Sequence, residues 1–155
     1  MEQLERLLAS PHALIVPVSF SSLSKAEHRA RIVDALKETA GFSSKGVICE
    51  LTGIDGAPIA TLFPVVAMIR PYTLFVIGHL AEPGQRRGPA LTEVGVRGVS
   101  LECPPNMGEA EFFGWARAAI GQARRAAKAV LLYGAPSAAA AQAAMSVGVT
   151  HASLA

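Results

Sequence analysis

Six apolar runs of strand length, most of them followed by a stretch of helical character, constrain this chain more than any other feature. They are Ala13–Phe20, Val47–Thr52, Leu74–Leu80, Val99–Cys103 and Ala129–Tyr133, with a weaker sixth near Val149–Leu154. Near-continuous apolar strands that alternate with helices form a parallel sheet buried on both faces. An α/β domain of five to six mostly parallel strands follows, with helices packed outside. In folds of this kind chemistry gathers at the C-terminal ends of the strands.

Length then limits the closure of the sheet. A complete eight-stranded barrel takes about 250 residues and seldom fewer than about 200, whereas this chain has 155. Either the sheet is open or the barrel is partial. One domain is expected over residues 1–155, and the short helix-like Glu2–Ala9 leaves open a longer regulatory parent protein. Just over half of the residues are apolar, which excludes a disordered chain.

Net charge is +2, with only small basic clusters at Arg86–Arg87 and Arg124–Arg125. That footprint is too weak for nucleic acid. No run is apolar enough over a sufficient length to span a bilayer, and no basic-then-apolar leader is present. The Ala-rich Ser137–Val147 is broken by Gln142 and Ser146 and reads as a packed helix. Cys49 and Cys103 sit in or at the end of buried-type strands without metal spacing, so free core thiols in a reducing cytoplasm are expected.

Local signals place the helices. Ser24-Lys25-Ala26-Glu27 has the form of a capping box, opening a helix that carries Ile32, Val33 and Leu36 and ends at Gly41. Pro58 fits the first turn of a second helix through Leu62, Val65, Val66 and Ile69, with Pro64 in conflict with its middle. Residues 83–89 form a loop on turn chemistry, and Ala90–Val94 a short helix or turn. Asn106, with Glu109 three residues on, suggests the N-cap of the longest helix, reaching about Lys128. Its apolar stripe holds Phe112, Trp115, Ala119, Ile120 and Ala123, with Trp115 expected to pack inward beside Phe112. Ser137 caps the last helix and Gly148 closes it.

The order and spacing of these units resemble the EAL domain, the (βα) barrel of cyclic di-GMP phosphodiesterases. The likeness runs from about Leu14 to the end. Val16-Pro17-Val18-Ser19 stands where that family has a strand ending in Asn-Leu-Ser. Cys49-Glu50-Leu51-Thr52-Gly53 is similar to its Leu-Glu-Ile-Thr-Glu strand, and Phe75-Val76-Ile77-Gly78-His79-Leu80 to the strand with the Asp-Asp-Phe metal motif. Val99-Ser100-Leu101-Glu102 stands where the family has Ile-Lys-Ile-Asp. Leu132-Tyr133-Gly134-Ala135 resembles its Ala-Glu-Gly-Val strand end, and Gly148-Val149-Thr150 its last strand. The strand that carries the family's name motif has no counterpart.

The departures bear on function. Hydrolysis in that family uses water on metals held by carboxylates and an Asn, and hard divalent cations need such oxygen ligands. Of the matched positions only Glu50 keeps its acid. Pro17 replaces the Asn, Gly78 and His79 the Asp pair, Ser100 the Lys and Tyr133 the sixth-strand Glu. The resemblance therefore implies a degenerate, partial (βα) barrel without the usual reaction, with neither cofactor nor resident metal and no cyclic di-GMP binding.

Strand alternation can set Glu50 with Thr52 on one face and Ser100 with Glu102 on the matching face, with His79 joining at the edge. Ser19, Glu50, Thr52, His79, Ser100, Glu102 and Tyr133 are thus the candidate lining of a degenerate pocket. Two Glu and a His could bind a metal or act as acid and base. Hydrogen-bonded filling of the mouth is the plainer reading, since a buried carboxylate demands partners. Neither Ser19 nor Tyr133 lies in a nucleophile motif. Arg86 and Arg87 could pair with a phosphate, although their loop is no P-loop and reads better as solvated. His12, His28 and His151 show no ligand spacing. The expectation is a non-catalytic cytoplasmic signalling or scaffold domain that contacts protein or itself. The alternative is a receptor for a nucleotide or phosphate-bearing small molecule, and a third reading is an enzyme using Glu50, His79 and Glu102.

Overall fold

A computed structural model describes residues 14–42, 46–85 and 90–155. The loop arginines 86 and 87 and His12 lie outside these residues, as does the helix-like start at 2–9. Six parallel strands form one sheet: β1 (Leu14–Ser19), β2 (Val47–Thr52), β3 (Phe75–His79), β4 (Gly98–Glu102), β5 (Ala129–Ala135) and β6 (His151–Leu154). Between them run α1 (Phe20–Ser24), α2 (Ala26–Phe42), α3 (Ile59–Ile69), α4 (Glu109–Ala126) and α5 (Ala138–Ser146), with short 3-10 turns at Arg70–Tyr72, Pro83–Gln85 and Leu91–Val94.

Strand order follows chain order, β1-β2-β3-β4-β5-β6. Parallel crossovers are right-handed, so an unreversed order puts every helix on the same side of the sheet. The core divides accordingly. The outward strand residues Val47, Cys49, Leu51, Val99 and Leu132 pack with buried helix residues such as Leu36, Leu62, Phe112 and Ala140. The other face has its own cluster, Ile48, Ile77, Ala129 and Leu131 with Ile15, Phe75 and Tyr133 beside them, all of them strand residues. Leu131 keeps 2% of its surface and Ile48 and Ile77 none. Among the described residues no helix contributes to that cluster, and a curled sheet shelters it. The six strands are a sector of a barrel, and their inner face is its lumen.

Most helix faces follow the sequence. Leu62, Val65, Val66 and Ile69 of α3 are buried, and α4 buries Phe112, Ala119, Ile120 and Ala123. Trp115 is half-buried and tilts against Phe112, with ring centroids 6.0 Å apart. Ser137 Oγ accepts the Ala140 N–H at 3.1 Å, and Gly148 follows α5 at φ 118°, where a glycine is favoured. Pro64 lies inside α3 without ending it, and Pro58 is the N-cap just before that helix rather than in its first turn. The carbonyl that Pro64 deprives of a partner belongs to exposed Ala60, where water can serve it.

Three boundary signals failed for identifiable reasons. Ser24 does not cap α2: its hydroxyl donates back to Phe20 O at 2.9 Å inside α1, and Lys25 O starts α2 by accepting Arg29 N–H. Gly41 stays helical, and α2 continues to Phe42. Asn106 adopts φ 61° in the turn after β4, so Gly108 becomes the N-cap of α4, which ends at Ala126 rather than near Lys128. Serine and asparagine side chains bond backbone in turns as readily as at caps.

Candidate functional site: a polar clasp across the lumen

Alternation along the strands sends Glu50, His79, Ser100 and Tyr133 to the inner face, and the register aligns His79 with Ser100. Ser100 Oγ donates to Glu50 Oε1 at 2.6 Å. Tyr133 OH donates to the same oxygen at 3.0 Å. His79 Nδ1 lies 3.1 Å from Ser100 Oγ. Ser100 has one proton, given to the carboxylate, so its oxygen accepts from His79 and the imidazole carries its hydrogen on Nδ1. The result is a directed chain, His79 to Ser100 to Glu50, joined at the carboxylate by Tyr133.

These groups come from four strands. β2 and β5 are separated by β3 and β4, a gap of about 14 Å in a flat sheet at about 4.8 Å per strand. Only the curl of the sheet closes that gap to a hydrogen bond. Ser100 is fully buried and Glu50 keeps 8% of its surface. Burial pushes the Tyr133 phenol well above its ordinary range, and the neighbouring Glu50 charge with its hydrogen bond pushes further, while Ser100 pulls weakly the other way. Cys49, beside Glu50 in β2 but facing the helices, is pushed up to about 12, mainly by burial and then by that charge. Burial also raises Cys103.

The remaining candidates stand apart from this chain. Ser19 ends β1 with its hydroxyl 2.8 Å from that of Ser21. Thr52 is half-buried at the end of β2, and Glu102 is exposed at the end of β4. Glu102 shares a register position with Tyr133. His28 is exposed on α2. His151 faces the lumen beside Leu131, and its Nδ1 is buried without a hydrogen-bond partner. Among the described residues no three His, Cys, Asp or Glu side chains converge as a metal would require. Grooves of about 350 Å³ and 300 Å³ lie elsewhere, one between Leu23, Arg29 and Met68 and one between Lys37, Tyr72 and Leu74.

Gly78 points the other way. Its register partners Leu51 and Val99 pack against the helices, and a Cβ there would collide with Ile54 Cδ1. Of the two residues matched to an Asp pair, only His79 therefore reaches the lumen. The role of Tyr133 was not legible as chemistry, since it lies in no catalytic motif. Its parity with Leu131 was the available signal.

No family model and no curated protein matches the chain. A solved chain of Vibrio cholerae LapD, comprising S helix, GGDEF and EAL in the apo form, is similar in structure, with a TM-score of 0.62 at 10% identity. The likeness covers 94% of this chain and 36% of that one, so the present chain spans little more than a third of its neighbour's length. At that identity it is the fold that is shared, a set of six parallel strands with flanking helices consistent with a partial barrel.

Proposed function

We propose that this chain is a non-catalytic signalling or scaffold domain, a degenerate EAL-like partial barrel that works by contacting protein, including further copies of itself. One observation carries the reading. Glu50, the acid that the resemblance matches to a metal ligand, spends one oxygen on Ser100 and Tyr133 in a buried site. A carboxylate satisfied by two neutral donors is a structural element of a packed interior. Ser100, fully buried, is out of reach of a substrate. An open sheet of this plan also has two edge strands, β1 and β6, and edges of that kind are covered in working assemblies.

The strand-end side chains Ser19, Thr52, His79 and Glu102, gathered at one end of the inner face, favour a second reading, a receptor for a nucleotide or phosphate-bearing small molecule. Incubation with cyclic di-GMP and Mg²⁺ or Mn²⁺ tests both. No turnover above a Glu50→Ala control is expected. Metal-dependent hydrolysis clearly above that control would overturn the scaffold reading. Calorimetric binding without turnover would replace it with the receptor.

A further inference from the structure

Among the described residues charge is divided unevenly between the two ends of this domain. Where strands begin stand Arg70 after α3, Arg97 before β4, Arg124 and Arg125 in the last turn of α4, and Lys128 before β5. All are exposed, and none forms an ion pair among the described residues. Gly98 is in register with Ala129, so Arg97 and Lys128 stand side by side. Arg70 Nη1 lies 3.8 Å from where a Cβ on Gly95 would be, and Arg124 Nη1 2.8 Å from the equivalent point on Gly148. The cations thus follow the strand-start rim from β3 to β6. The exposed acids among them are Glu93 and, in the second half of α2, Glu38, while Asp34 on α2 is already paired with Lys37.

At the other end, the connections that leave the strands carry Asp55, Glu82, Glu102, Glu109 and Glu111. Among the described residues their partners are neutral: Asp55 accepts Glu82 N–H, and Glu109 accepts the Ser137 hydroxyl. Lys25 and Arg29 are the described cations nearby, at the start of α2 beside Glu27, and the sequence places Arg86 and Arg87 in the same connection as Glu82, so the acidic excess of this rim is modest. Each end also exposes apolar side chains, Phe113 (47%) and Leu154 (58%) at the acidic rim, Leu74 (43%) and Val147 (47%) at the basic rim.

We infer that the basic strand-start rim of one copy docks on the acidic strand-end rim of the next, a head-to-tail pairing of this chain with itself. This rests on the scaffold reading and supplies its partner. Opposite charges face each other while net charge is only +2, so copies attract locally with little overall repulsion. Exposed apolar groups on both rims give the contact a core inside a charged border. A nucleic acid or another polyanion would satisfy the basic rim alone and leave Phe113 and Leu154 uncovered. A heterologous contact of this kind closes into a ring or grows into a filament.

Sedimentation velocity over a concentration series at about 0.1 M and about 1 M salt, where the Debye length falls from about 10 Å to about 3 Å, tests the pairing. The wild-type chain associates at low salt and disperses at high salt. The basic-rim variant Arg97→Ala/Lys128→Ala and the acidic-rim variant Glu102→Gln/Glu111→Gln each remain monomeric. Mixed together they form a one-to-one dimer that grows no further, because each retains one competent rim. Association indifferent to salt and to both variants overturns the head-to-tail geometry but leaves a self-associating scaffold. Failure of the mixture to pair overturns it as well. A wild-type chain that is monomeric at low salt overturns it and leaves a hetero-partner. Retention of that monomer on heparin through Arg97 and Lys128 would identify the basic rim as a polyanion site instead. Hydrolysis in the separate turnover assay would overturn the scaffold reading itself.

Discussion

Tyr133 on β5 donates its hydroxyl hydrogen to Glu50 on β2, 3.0 Å away, across two intervening strands. The bond exists only because the sheet curls, and it ties the two sides of that curl together. Ser100 on β4 adds a second tie to the same oxygen. Below this clasp Ile48, Ile77 and Leu131 fill the lumen. Glu50, Ser100 and Tyr133 thus act as the polar cap of a small core built from strand residues.

Removing one member should cost more than removing all. Tyr133→Phe leaves Glu50 short of a donor in a buried site, and a hydrogen bond to a charged group contributes about 1.5–3 kcal/mol. Loss of about 2 kcal/mol in urea unfolding is expected. Glu50→Ala should cost more, since it strands two donors and opens a cavity. The combined Glu50→Leu/Ser100→Ala/Tyr133→Phe variant should recover much of the loss, as apolar replacement of a whole buried polar group often does. Equal stability of Tyr133→Phe and the wild type would remove the clasp from the account of the fold.

Burial of Tyr133, reinforced by the Glu50 charge and its hydrogen bond, makes stability fall at high pH. The folded state raises the Tyr133 pKa above the unfolded value of about 10. Folded protein therefore holds the phenolic proton more tightly, and the stability this contributes is fully present below about pH 10 and lost as pH rises beyond it. There are two tyrosines, so the Tyr133→Phe variant isolates the signal. Tyrosinate absorbance in the native wild type should contain a late component that the variant lacks, and the variant's stability should decline less above about pH 10. Simultaneous titration of Tyr133 with an exposed tyrosine would contradict the burial argument.

Sheet type, strand count and outer helices were legible because apolar runs and helical stripes are local patterns. Glu50 and Ser100 were readable as facing one lumen because alternation has a fixed period. Their contact was not, since it depends on the curl of a sheet across β3, which no spacing records. Tyr133 shows the limit most clearly. Its phase along β5 was readable, but its partner is 83 residues away in sequence. Ser24 and Asn106 show the converse, local signals that tertiary context spent on turns. Gly78 could be matched in sequence to a metal-site position, while the side of the sheet it faces became visible only beside Ile54.

Both cysteines should be inert in the native state. Cys49 is fully buried and its pKa is pushed up to about 12, so almost no thiolate exists near neutrality. Cys103 is buried too, with its thiol directed at Pro104 O at 3.6 Å, and its pKa is also raised. A thiol-specific chromogenic reagent at pH 8 should react slowly with native protein and at once with both cysteines in denaturant. Cys103, at the strand end, should lead. Rapid stoichiometric labelling of Cys49 without unfolding would show that β2 opens far more readily than its packing implies.

Placing an acid at Gly78, the position that the resemblance aligns with a metal motif, should break the domain rather than build a site. Gly78 sits in β3 with its face toward Ile54, Leu91 and Val96, and even a methyl group there meets Ile54 Cδ1. An aspartate would overpack that layer and bury a charge among apolar side chains with no cation beside it. Overpacking costs about 1–3 kcal/mol, and an uncompensated buried charge about 3–5 kcal/mol. Gly78→Asp should therefore lose more than about 3 kcal/mol, or fail to fold, and bind neither Mg²⁺ nor Mn²⁺. Gly78→Ala separates the two costs, since it carries the overpacking alone and should lose about 1–3 kcal/mol. His79→Asp is the contrasting case, because that side chain already faces the lumen at the strand end, half-exposed. It should fold with a smaller loss, made up of the hydrogen bond from His79 to Ser100 and the repulsion of a second carboxylate near Glu50. Urea unfolding of the three variants, with calorimetric metal titration of those that fold, decides the matter. A stable Gly78→Asp protein that takes up a divalent ion would mean that β3 can turn this position inward, and the assignment of its two faces would be wrong.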